Sequence, residues 1–346
     1  MRLIVFFTYN ISLQDWKKTG VISRELNFYS QLAKKGLKIT FITYGDTSDL
    51  KIKLKKNLDV IPIFTIIKKT KFKLLNLILS LISIFYLKKK LSKYDLIKTH
   101  QIYGSWLALL TKYIIKKPMV LRGGYEPISF EKKSIKFFFV FFTSYLSCIL
   151  SDIILLSNKL DIKYVSRLFF VKSQKIHYFP NSVNIKNFFI KEKIKKRKKN
   201  FVYVGRLTEQ KNLFEIFRII KLLNDSLDIY GNGPMKKELI FYAKKNKINV
   251  NFYKNVENNK LVNIYNKYKF CILLSRYEGS PKVMLEAMAC GCVMIVSKVK
   301  GIVGIIKQNK NGFYIGSNVN YLKKLIKDIN LQNQISTNAF NLIKKK

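Results

Sequence analysis

Two glutamates, Glu278 and Glu286, lie eight positions apart after the apolar run Lys269–Leu274. That run is short, and it predicts a buried strand of a parallel sheet that ends shortly before Glu278. In open α/β sheets ligands bind at the carboxyl ends of strands, and the amino end of a following helix attracts an anion such as a phosphate. Glu286, more than a turn into that helix, can accept hydrogen bonds from sugar hydroxyls. Two surface glutamates on an ordinary strand–turn–helix would share this spacing, so the surrounding residues must decide.

The helix that separates these glutamates has its own start and stop signals in the sequence. Ser280 offers an N-cap hydroxyl, and Pro281 is acceptable at the first helical position. The apolar pattern runs to about Cys290, and Gly291 ends the helix. One carboxylate is therefore expected just before the helix and the other inside it.

A second set of polar residues follows another predicted strand, Phe201–Val204. Gly205 comes directly after it, and Arg206 and Lys211 lie in the loop that leads to Asn212. Arginine presents a planar fork of donors and lysine a point charge, and both suit a diphosphate. A chain with 65 basic residues places such side chains in many loops, but this spacing between a glycine and an asparagine argues against chance.

A third turn, after the predicted strand that begins at Leu227, contains Gly231 and Gly233. A single Gly-x-Gly-Pro segment is a weak signal on its own. Its position in the chain, after the Gly205 loop, is what gives it weight.

Together these motifs resemble retaining glycosyltransferase family 4, the GT-B enzymes that build bacterial surface polysaccharides. The matching patterns are Glu-Gly-x-Pro-x3-Leu-Glu-Ala-Met-Ala-x-Gly and Gly-Arg-Leu-x3-Lys-Asn. The resemblance implies that Arg206 and Lys211 bind the diphosphate, that Glu286 holds the ribose and that Glu278 orients the sugar. Arg206, Lys211 and Glu278 are the implied catalytic residues. The implied donor-binding set is Gly205, Arg206, Lys211, Gly231, Gly233, Glu278, Gly279, Ser280, Val283, Leu285 and Glu286.

The first half of the chain resembles the family in topology only, and its candidate residues are fewer. Many relatives have a histidine where this chain has Arg122, so that role falls to Arg122 or Glu126, or is absent. His100 ends the preceding predicted strand and is either functional or structural. Gly20 is the candidate for the glycine-containing loop near the donor phosphates, but its flanking residues differ from the usual double glycine.

The elements that must position these residues alternate between strand and helix through both halves of the chain. This alternation predicts an α/β protein, and the resemblance implies GT-B architecture, two Rossmann-like domains that face each other across a cleft. The expected division is an acceptor-binding domain over 1–185, a basic linker over 186–199, a nucleotide-sugar domain over 200–330 and a C-terminal tail over 331–346, for which a return to the first domain is one option. The first half lacks Gly-x-Gly-x-x-Gly, which argues against a dinucleotide site there.

Composition indicates a globular chain that is drawn to anionic surfaces. Hydrophobic residues make up 48% of the sequence, and the formal net charge is +45. Such a charge favours acidic lipid or nucleic acid as a partner. Because no helix-turn-helix, zinc-finger or RNP pattern is present, we predict no nucleic-acid partner.

Two apolar segments in the first half bear on a membrane partner. Leu74–Leu87 is flanked by lysines and has 14 positions, fewer than the ~20 needed to cross a bilayer. It is either a helix buried on the sheet or one that lies in the lipid headgroup region. Lys136–Phe142 is rich in phenylalanine and poses the same choice. With the net charge, these segments predict a cytoplasmic protein that associates peripherally with an anionic surface, the inner face of the cell membrane.

The sequence offers few metal or redox ligands. It has four cysteines without a C-x-x-C pair and two histidines, so a zinc site is not expected and the thiols are predicted to be reduced and buried. No Asp-x-Asp is present, and the resemblance implies an enzyme that needs no metal or cofactor besides its nucleotide-diphosphate sugar.

The function expected from these features is that of a retaining, metal-independent, hexosyltransferase-type enzyme. It would move a sugar from a nucleotide-diphosphate sugar to a saccharide or lipid-linked saccharide, in capsule, O-antigen or lipopolysaccharide synthesis. The alternatives are a GT-B sugar-nucleotide epimerase or a non-catalytic protein that binds nucleic acid or membrane. The sequence does not specify the donor, the acceptor, the linkage or the oligomeric state.

Overall fold

The computed structural model describes residues 1–124, 135–316 and 319–345. The predicted acceptor-side residue Glu126 lies outside these ranges. The chain divides into two compact units, Met1–Pro180 and Asn181–Lys346. Each contains a parallel sheet with helices on its faces, which confirms the predicted α/β fold with two Rossmann-like domains.

The first unit is built on a seven-stranded parallel sheet with the order β3-β2-β1-β4-β5-β6-β7. Its strands are β1 Arg2–Phe6, β2 Lys38–Thr43, β3 Leu58–Pro62, β4 Leu96–Thr99, β5 Met119–Gly123, β6 Ile153–Leu156 and β7 Ile176–Tyr178. The order reverses at β1 and β4, where a doubly wound sheet forms its ligand crevice. The strand β3 was not predicted, because its short run looks like part of a loop.

Helices cover both faces of this sheet. Alternate residues of β1 separate the two cores, with Leu3 and Val5 on one face and Ile4 and Phe6 on the other. The first face is covered by α1 Leu13–Lys18, α2 Ile22–Lys34 and α3 Thr47–Leu50. The second face is covered by α4 Lys73–Leu91, α5 Trp106–Ile115, α6 Ile135–Leu150 and α7 Lys159–Phe169.

The second unit has a six-stranded parallel sheet with the order β10-β9-β8-β11-β12-β13. Its strands are β8 Lys199–Val204, β9 Leu227–Tyr230, β10 Val250–Tyr253, β11 Tyr268–Leu273, β12 Val293–Val296 and β13 Phe313–Tyr314. Its helices are α8 Leu213–Leu223, α9 Lys236–Lys245, α10 Leu261–Tyr265, α11 Lys282–Ala289, α12 Val319–Lys327 and α13 Ile329–Lys344. One continuous apolar core joins them.

The segment 186–199 differs from the solvated linker that its charge predicted. Phe188 and Ile194 are buried in the core of the second unit. The guanidinium of Arg197 is buried as well, and it donates hydrogen bonds to the carbonyls of Glu192, Tyr268 and Cys290. Arginine is tolerated inside because its fork of donors finds backbone acceptors there. The segment is therefore part of the second unit.

The tail of the chain is helical and packs on the second unit. In α13 the side chains of Ile335, Ala339 and Ile343 are buried in that unit's core, against α11 and β12. The return of the tail to the first unit stays a prediction.

Three further observations concern membrane, metal and redox chemistry. Among the residues that the structure describes, no helix is long and apolar enough to cross a membrane. Within the same ranges, no three His, Cys, Asp or Glu side chains converge as a metal site would require. The four cysteines are free thiols and are buried, as predicted.

Candidate active site

The predicted donor residues lie at the carboxyl edge of the second sheet. The loop after β8 contains Arg206 and Lys211, and the loop after the adjacent strand β11 contains Glu278. The turn after β9, on the other side of β8, contains Gly231 and Gly233. Carboxyl ends of neighbouring parallel strands meet at one edge, so three motifs that are distant in sequence converge.

Glycines allow the backbones of these loops to touch. A Cβ on Gly231 would lie 1.9 Å from the carbonyl oxygen of Gly205, and one on Gly233 would lie 2.3 Å from that of Leu207. No side chain fits at such distances, because the obstructing atoms belong to the backbone. Gly301 makes the same approach to the β11 loop, with its Cβ position 2.1 Å from the carbonyl oxygen of Gly279. The motif glycines therefore pack neighbouring loops together.

Lys211 and Glu278, which the sequence assigned to different parts of the donor, form an ion pair with each other. The side chains of Lys211 and Glu278 are only 14% and 7% exposed. The hydroxyl of Ser275 donates a second hydrogen bond to the same Glu278 oxygen, at 2.6 Å. Shielding from water strengthens the pair and orients both groups at the sheet edge.

Further bonds join the loops that carry this ion pair. The side-chain amide of Gln210 donates a hydrogen bond to the backbone carbonyl of Tyr277 at 2.9 Å. The backbone carbonyl of Gln210 accepts a hydrogen bond from the backbone N–H of Arg276, also at 2.9 Å. An exposed ion pair between Arg276 and Glu209 lies beside them. These residues were not predicted, since only the fold reveals that they meet.

Arg206 is exposed at the same edge. Its carbonyl accepts a hydrogen bond from the buried hydroxyl of Tyr203 at 2.8 Å, which fixes the backbone of the loop. Burial raises the pKa of Tyr203 well above its ordinary value; the charge of Glu278 raises it further, and that of Arg206 lowers it. Arg206 and Glu278 are thus both within electrostatic reach of one buried hydroxyl.

Glu286 lies within α11 and is only 1% exposed. One of its carboxylate oxygens accepts a hydrogen bond from the side-chain amide of Asn258 at 2.9 Å. Burial, and then the charge of Glu286, raise the pKa of the neighbouring Tyr265. Asn258 is a positioning contact that the sequence did not signal, because it comes from a polar loop before α10.

The start of α11 corrects one prediction. The helix begins at Lys282, and Pro281 occupies the N-cap without a side-chain cap. Ser280 therefore lies before the cap, and its carbonyl accepts a hydrogen bond from Asn181 at 2.7 Å. The extended backbone of Pro281 moves the helix start one residue later than predicted. The predicted stop is confirmed, because Gly291 has φ +73° directly after the C-cap.

The remaining predicted donor residues differ in exposure. Leu285 is buried in the core of the second unit, and Val283 packs against that core. Gly279 and Ser280 are half-buried in the loop before α11.

Two of the acceptor-side candidates lie at the carboxyl edge of the first sheet. His100 follows β4, and its ring centroid is 4.9 Å from that of Trp16. Arg122 lies near the end of the adjacent strand β5 and donates to the carbonyls of Gly123 and Leu155, at 3.0 and 3.3 Å. Burial lowers the pKa of Arg122 from its ordinary value.

Arg122 lies near polar groups of α2, and Gly20 lies at the turn before that helix. The charges of Tyr29 and Glu25, both on α2, act on the Arg122 guanidinium and raise its pKa, against the effect of burial. Lys98 donates to the Tyr29 hydroxyl at 3.2 Å, and this cluster was not predicted from the sequence. Gly20 has φ +73° between α1 and α2 and acts as a turn residue there.

Comparisons with known proteins also indicate a glycosyltransferase. Residues 184–342 match the family model described as glycosyl transferases group 1. The chain is 29% identical over 301 residues to the UDP-Gal:alpha-D-GlcNAc-diphosphoundecaprenol alpha-1,3-galactosyltransferase of Escherichia coli, covering 77% of this chain and 76% of that protein. It is 29% identical over 174 residues to a Campylobacter jejuni enzyme that adds N-acetylgalactosamine to a diphosphoundecaprenol-linked saccharide, covering about half of each protein, 47% and 46%.

Solved structures share the fold over the whole chain. Sucrose-phosphate synthase from Thermosynechococcus elongatus superposes with a TM-score of 0.83 at 16% identity, covering 100% of this chain and 94% of that one. Anabaena HepE in complex with UDP-glucose superposes with a TM-score of 0.78 at 14% identity, covering 100% and 95%. At such identities the likeness establishes the fold alone.

Proposed function

We propose that this chain, a glycosyltransferase with the GT-B fold, transfers a sugar with retention from a nucleotide-diphosphate sugar to a lipid-linked saccharide. The acceptor class is supported by the Escherichia coli and Campylobacter jejuni relatives, both named for diphosphoundecaprenol-linked acceptors. The family we propose is retaining family 4, and the pathway is the synthesis of a bacterial surface polysaccharide. The observation that carries the proposal is the meeting of Arg206, Lys211 and Glu278 at one sheet edge.

In this proposal the donor diphosphate binds between Arg206 and Lys211. Arg206 is exposed and presents its fork to the phosphates, while Lys211 approaches from the Glu278 pair. Positive side chains that are fixed before the reaction stabilise the charge that develops on the leaving diphosphate. This stabilisation comes from the chain's own cations, without a metal ion.

The bound diphosphate shares the charge of Lys211 with Glu278. Ser275 still donates to Glu278 at 2.6 Å, so the carboxylate stays in place and accepts from hydroxyls of the transferred sugar. Glu286 accepts from the ribose hydroxyls, and Asn258 orients its carboxylate for that contact. The glycine contacts keep the three loops close enough to bind one ligand.

The chemical step that we propose follows the family resemblance. The acceptor hydroxyl attacks the anomeric carbon from the face that the diphosphate leaves. The bond from that carbon to the acceptor oxygen forms as the bond to the phosphate oxygen breaks, and the hydroxyl proton passes to the departing phosphate. The new bond keeps the configuration of the donor, and a nucleoside diphosphate is released.

We place the acceptor at the carboxyl edge of the first sheet, near His100 and Arg122, and the enzyme on the inner face of the cell membrane. A lipid-linked saccharide is held at a bilayer, so its transferase must work at that surface. Four free, buried thiols suit a reducing compartment.

A panel of nucleotide sugars tests the proposal, with UDP-sugars first because UDP-glucose is bound in HepE. We expect nucleoside diphosphate release that depends on a diphosphate-linked lipid saccharide, and a product whose NMR coupling shows retained configuration. Inversion would contradict the family assignment. Interconversion of the nucleotide sugar without release would identify an epimerase instead.

A further inference from the structure

The helix α4 has its large apolar side chains on the side that faces away from the protein. Leu75, Ile78, Ile82 and Phe85 recur at intervals of three and four residues, and all are exposed. A helix that only covers a sheet normally shows the reverse, with polar residues outside. An exposed apolar patch of this kind marks an interaction site.

The inward side of α4 is small and polar at Asn76, Ser80 and Ser83, and only its last two turns bury large apolar side chains, Ile84, Leu87 and Leu91. Ser80 and Ser83 are fully buried, and their hydroxyls bond to carbonyls of the preceding turn. The helix packs closely on α5 through this side. The first three turns of α4 therefore have small residues inside and large apolar ones outside, which is the arrangement of a helix whose outer side meets lipid.

The helix α6 also exposes large apolar side chains at its beginning. Phe138, Phe139 and Phe142 on its first two turns are exposed, while Ser144 and Ser147 are buried. Ser147 shares a 2.6 Å hydrogen bond with the hydroxyl of another buried serine just before α5. Two helices of one layer therefore expose large apolar side chains in their first turns while they bury serines.

Contacts at the carboxyl edge of the first sheet bring the exposed ends of these helices side by side. The hydroxyl of Tyr9 donates to the carbonyl of Lys73, at the start of α4. The rings of Tyr9 and Trp106, at the start of α5, are 5.1 Å apart, and those of Trp106 and Phe139 are 5.5 Å apart. We call the surface at this end the docking face, and its residues are Leu74, Leu75, Ile78, Phe138, Phe139 and Phe142.

Charge indicates which partner fits the docking face. Residues 60–94 contain eight lysines and no aspartate or glutamate, and α5 and α6 contain no acidic residue either. Lys71 and Lys73 lie beside the docking face at the start of α4. Lysines that rim an apolar surface keep their ammonium groups at headgroup level, where they attract anionic lipid.

We propose that the docking face inserts into the boundary between headgroups and acyl chains of a bilayer that contains anionic phospholipid. Its phenylalanines and leucines enter the apolar boundary, and Lys71 and Lys73 bind the lipid phosphates. The proposal rests on the proposed function in one respect, since a lipid-linked acceptor reaches the same edge of the first sheet. The docking face thereby holds that edge at the surface from which the acceptor arrives.

Flotation of the full chain with vesicles tests this inference, because it requires neither donor nor turnover. The probes are phosphatidylcholine vesicles with and without phosphatidylglycerol, at ~0.1 M salt, where surface charges act over about 10 Å. We expect binding that requires phosphatidylglycerol. The double variant Phe138→Ser/Phe142→Ser should weaken partitioning about tenfold or more, because each phenylalanine loses its transfer into the apolar boundary.

Matched controls distinguish binding through the docking face from nonspecific hydrophobic or electrostatic adsorption to the vesicles. Phe138 and Phe241 are both 68% exposed on helices, so Phe241→Ser/Leu222→Ser on the second unit should leave binding unchanged. Lys71→Gln/Lys73→Gln should weaken binding about fivefold for each lysine removed, and Lys244→Gln/Lys245→Gln much less. Circular dichroism of each variant checks that it is folded.

Four results would overturn the inference. These are no flotation with phosphatidylglycerol, equal binding to neutral vesicles, equal loss in the control variants, and a dimer that the Phe138→Ser/Phe142→Ser variant alone dissociates. The last would make the docking face a contact with a second copy of the chain. A chain that transfers sugar but does not float would leave the proposed transfer reaction intact, and one that floats but never releases nucleotide would leave the docking face intact.

Discussion

Arg206 and Lys211 have the same proposed role but different surroundings, and this difference predicts two separable results. Arg206→Ala and Lys211→Ala should each lower turnover about 100-fold or more, because each removes a charge that acts on the leaving diphosphate. Only Lys211→Ala should also lower the free energy of unfolding, by about 3 kcal/mol, because it leaves the buried Glu278 without its cation. Turnover assays and thermal melts measure the two effects.

Arg218 is the control for this experiment, since it is an exposed arginine paired with Glu215 on the surface of α8. Arg218→Ala should change neither turnover nor melting temperature appreciably. Near-normal turnover in Arg206→Ala or Lys211→Ala would show that the donor site lies elsewhere.

Glu286 and Asn258 form a pair in which one residue is proposed to touch the ribose and the other only positions it. Glu286→Ala should weaken the binding of the nucleoside diphosphate, because the ribose loses its acceptor. Asn258→Ala should act in the same direction but less strongly, since it frees one carboxylate oxygen from a 2.9 Å bond. Calorimetry measures both affinities, with the exposed Glu238→Ala as control, and equal affinity in Glu286→Ala would refute the ribose contact.

At this scale the sequence could predict only residues that belong to motifs. Arg206, Lys211 and Glu278 could be predicted as site residues because their spacing within short segments is distinctive. Ser275 and Asn258 are ordinary polar residues, and only tertiary structure brings them to the glutamates. The ion pair between Lys211 and Glu278 was missed for the same reason, since it joins loops 67 residues apart.

Among the loops and turns, the contact between two glycines predicts a sharp substitution effect. Gly231→Ala would place a Cβ 1.9 Å from the Gly205 carbonyl oxygen, and neither backbone can move without separating β8 from β9. We expect a loss of stability of ~1–3 kcal/mol or more and a loss of donor affinity. Gly316→Ala is the control in the same unit, since none of the residues that the structure describes has an atom within 4 Å of its Cβ position, and it should melt like the unsubstituted chain.

The alternation of strands and helices was predicted because their apolar period is strong, and the elements that were missed or misplaced have physical reasons. The strand β3 lies at the sheet edge, and its sequence contains Asp59 and Pro62, which are typical of turns and hide its apolar run. The start of α11 was misplaced by one residue, because Pro281 can occupy either the N-cap or the first helical position. The basic run before β8 looked solvated, but carbonyls that come from other elements satisfy Arg197 in the interior.

For the whole molecule, the alternation of strands and helices was enough to predict two α/β units, because a parallel sheet requires a crossover helix between successive strands. The boundary between the units was harder to predict. Charge placed it in the run of lysines, whereas packing places it at Pro180. Net charge describes solubility and attraction to anionic surfaces, and it does not reveal which side chains of a basic segment are buried.

This boundary predicts which fragment folds alone. The fragment 181–346 contains the second sheet, its core and every proposed donor residue, so it should give a cooperative melt and bind the nucleoside diphosphate. The fragment 200–346 lacks Phe188, Ile194 and Arg197, all of which are buried. The two apolar side chains lost cost about 1.5–3 kcal/mol of burial each, about 3–6 kcal/mol together, which reaches the low end of the ~5–15 kcal/mol that stabilises a whole domain. We therefore expect the shorter fragment to melt without cooperativity, and a cooperative melt equal to that of 181–346 would show that segment 186–199 is a linker after all.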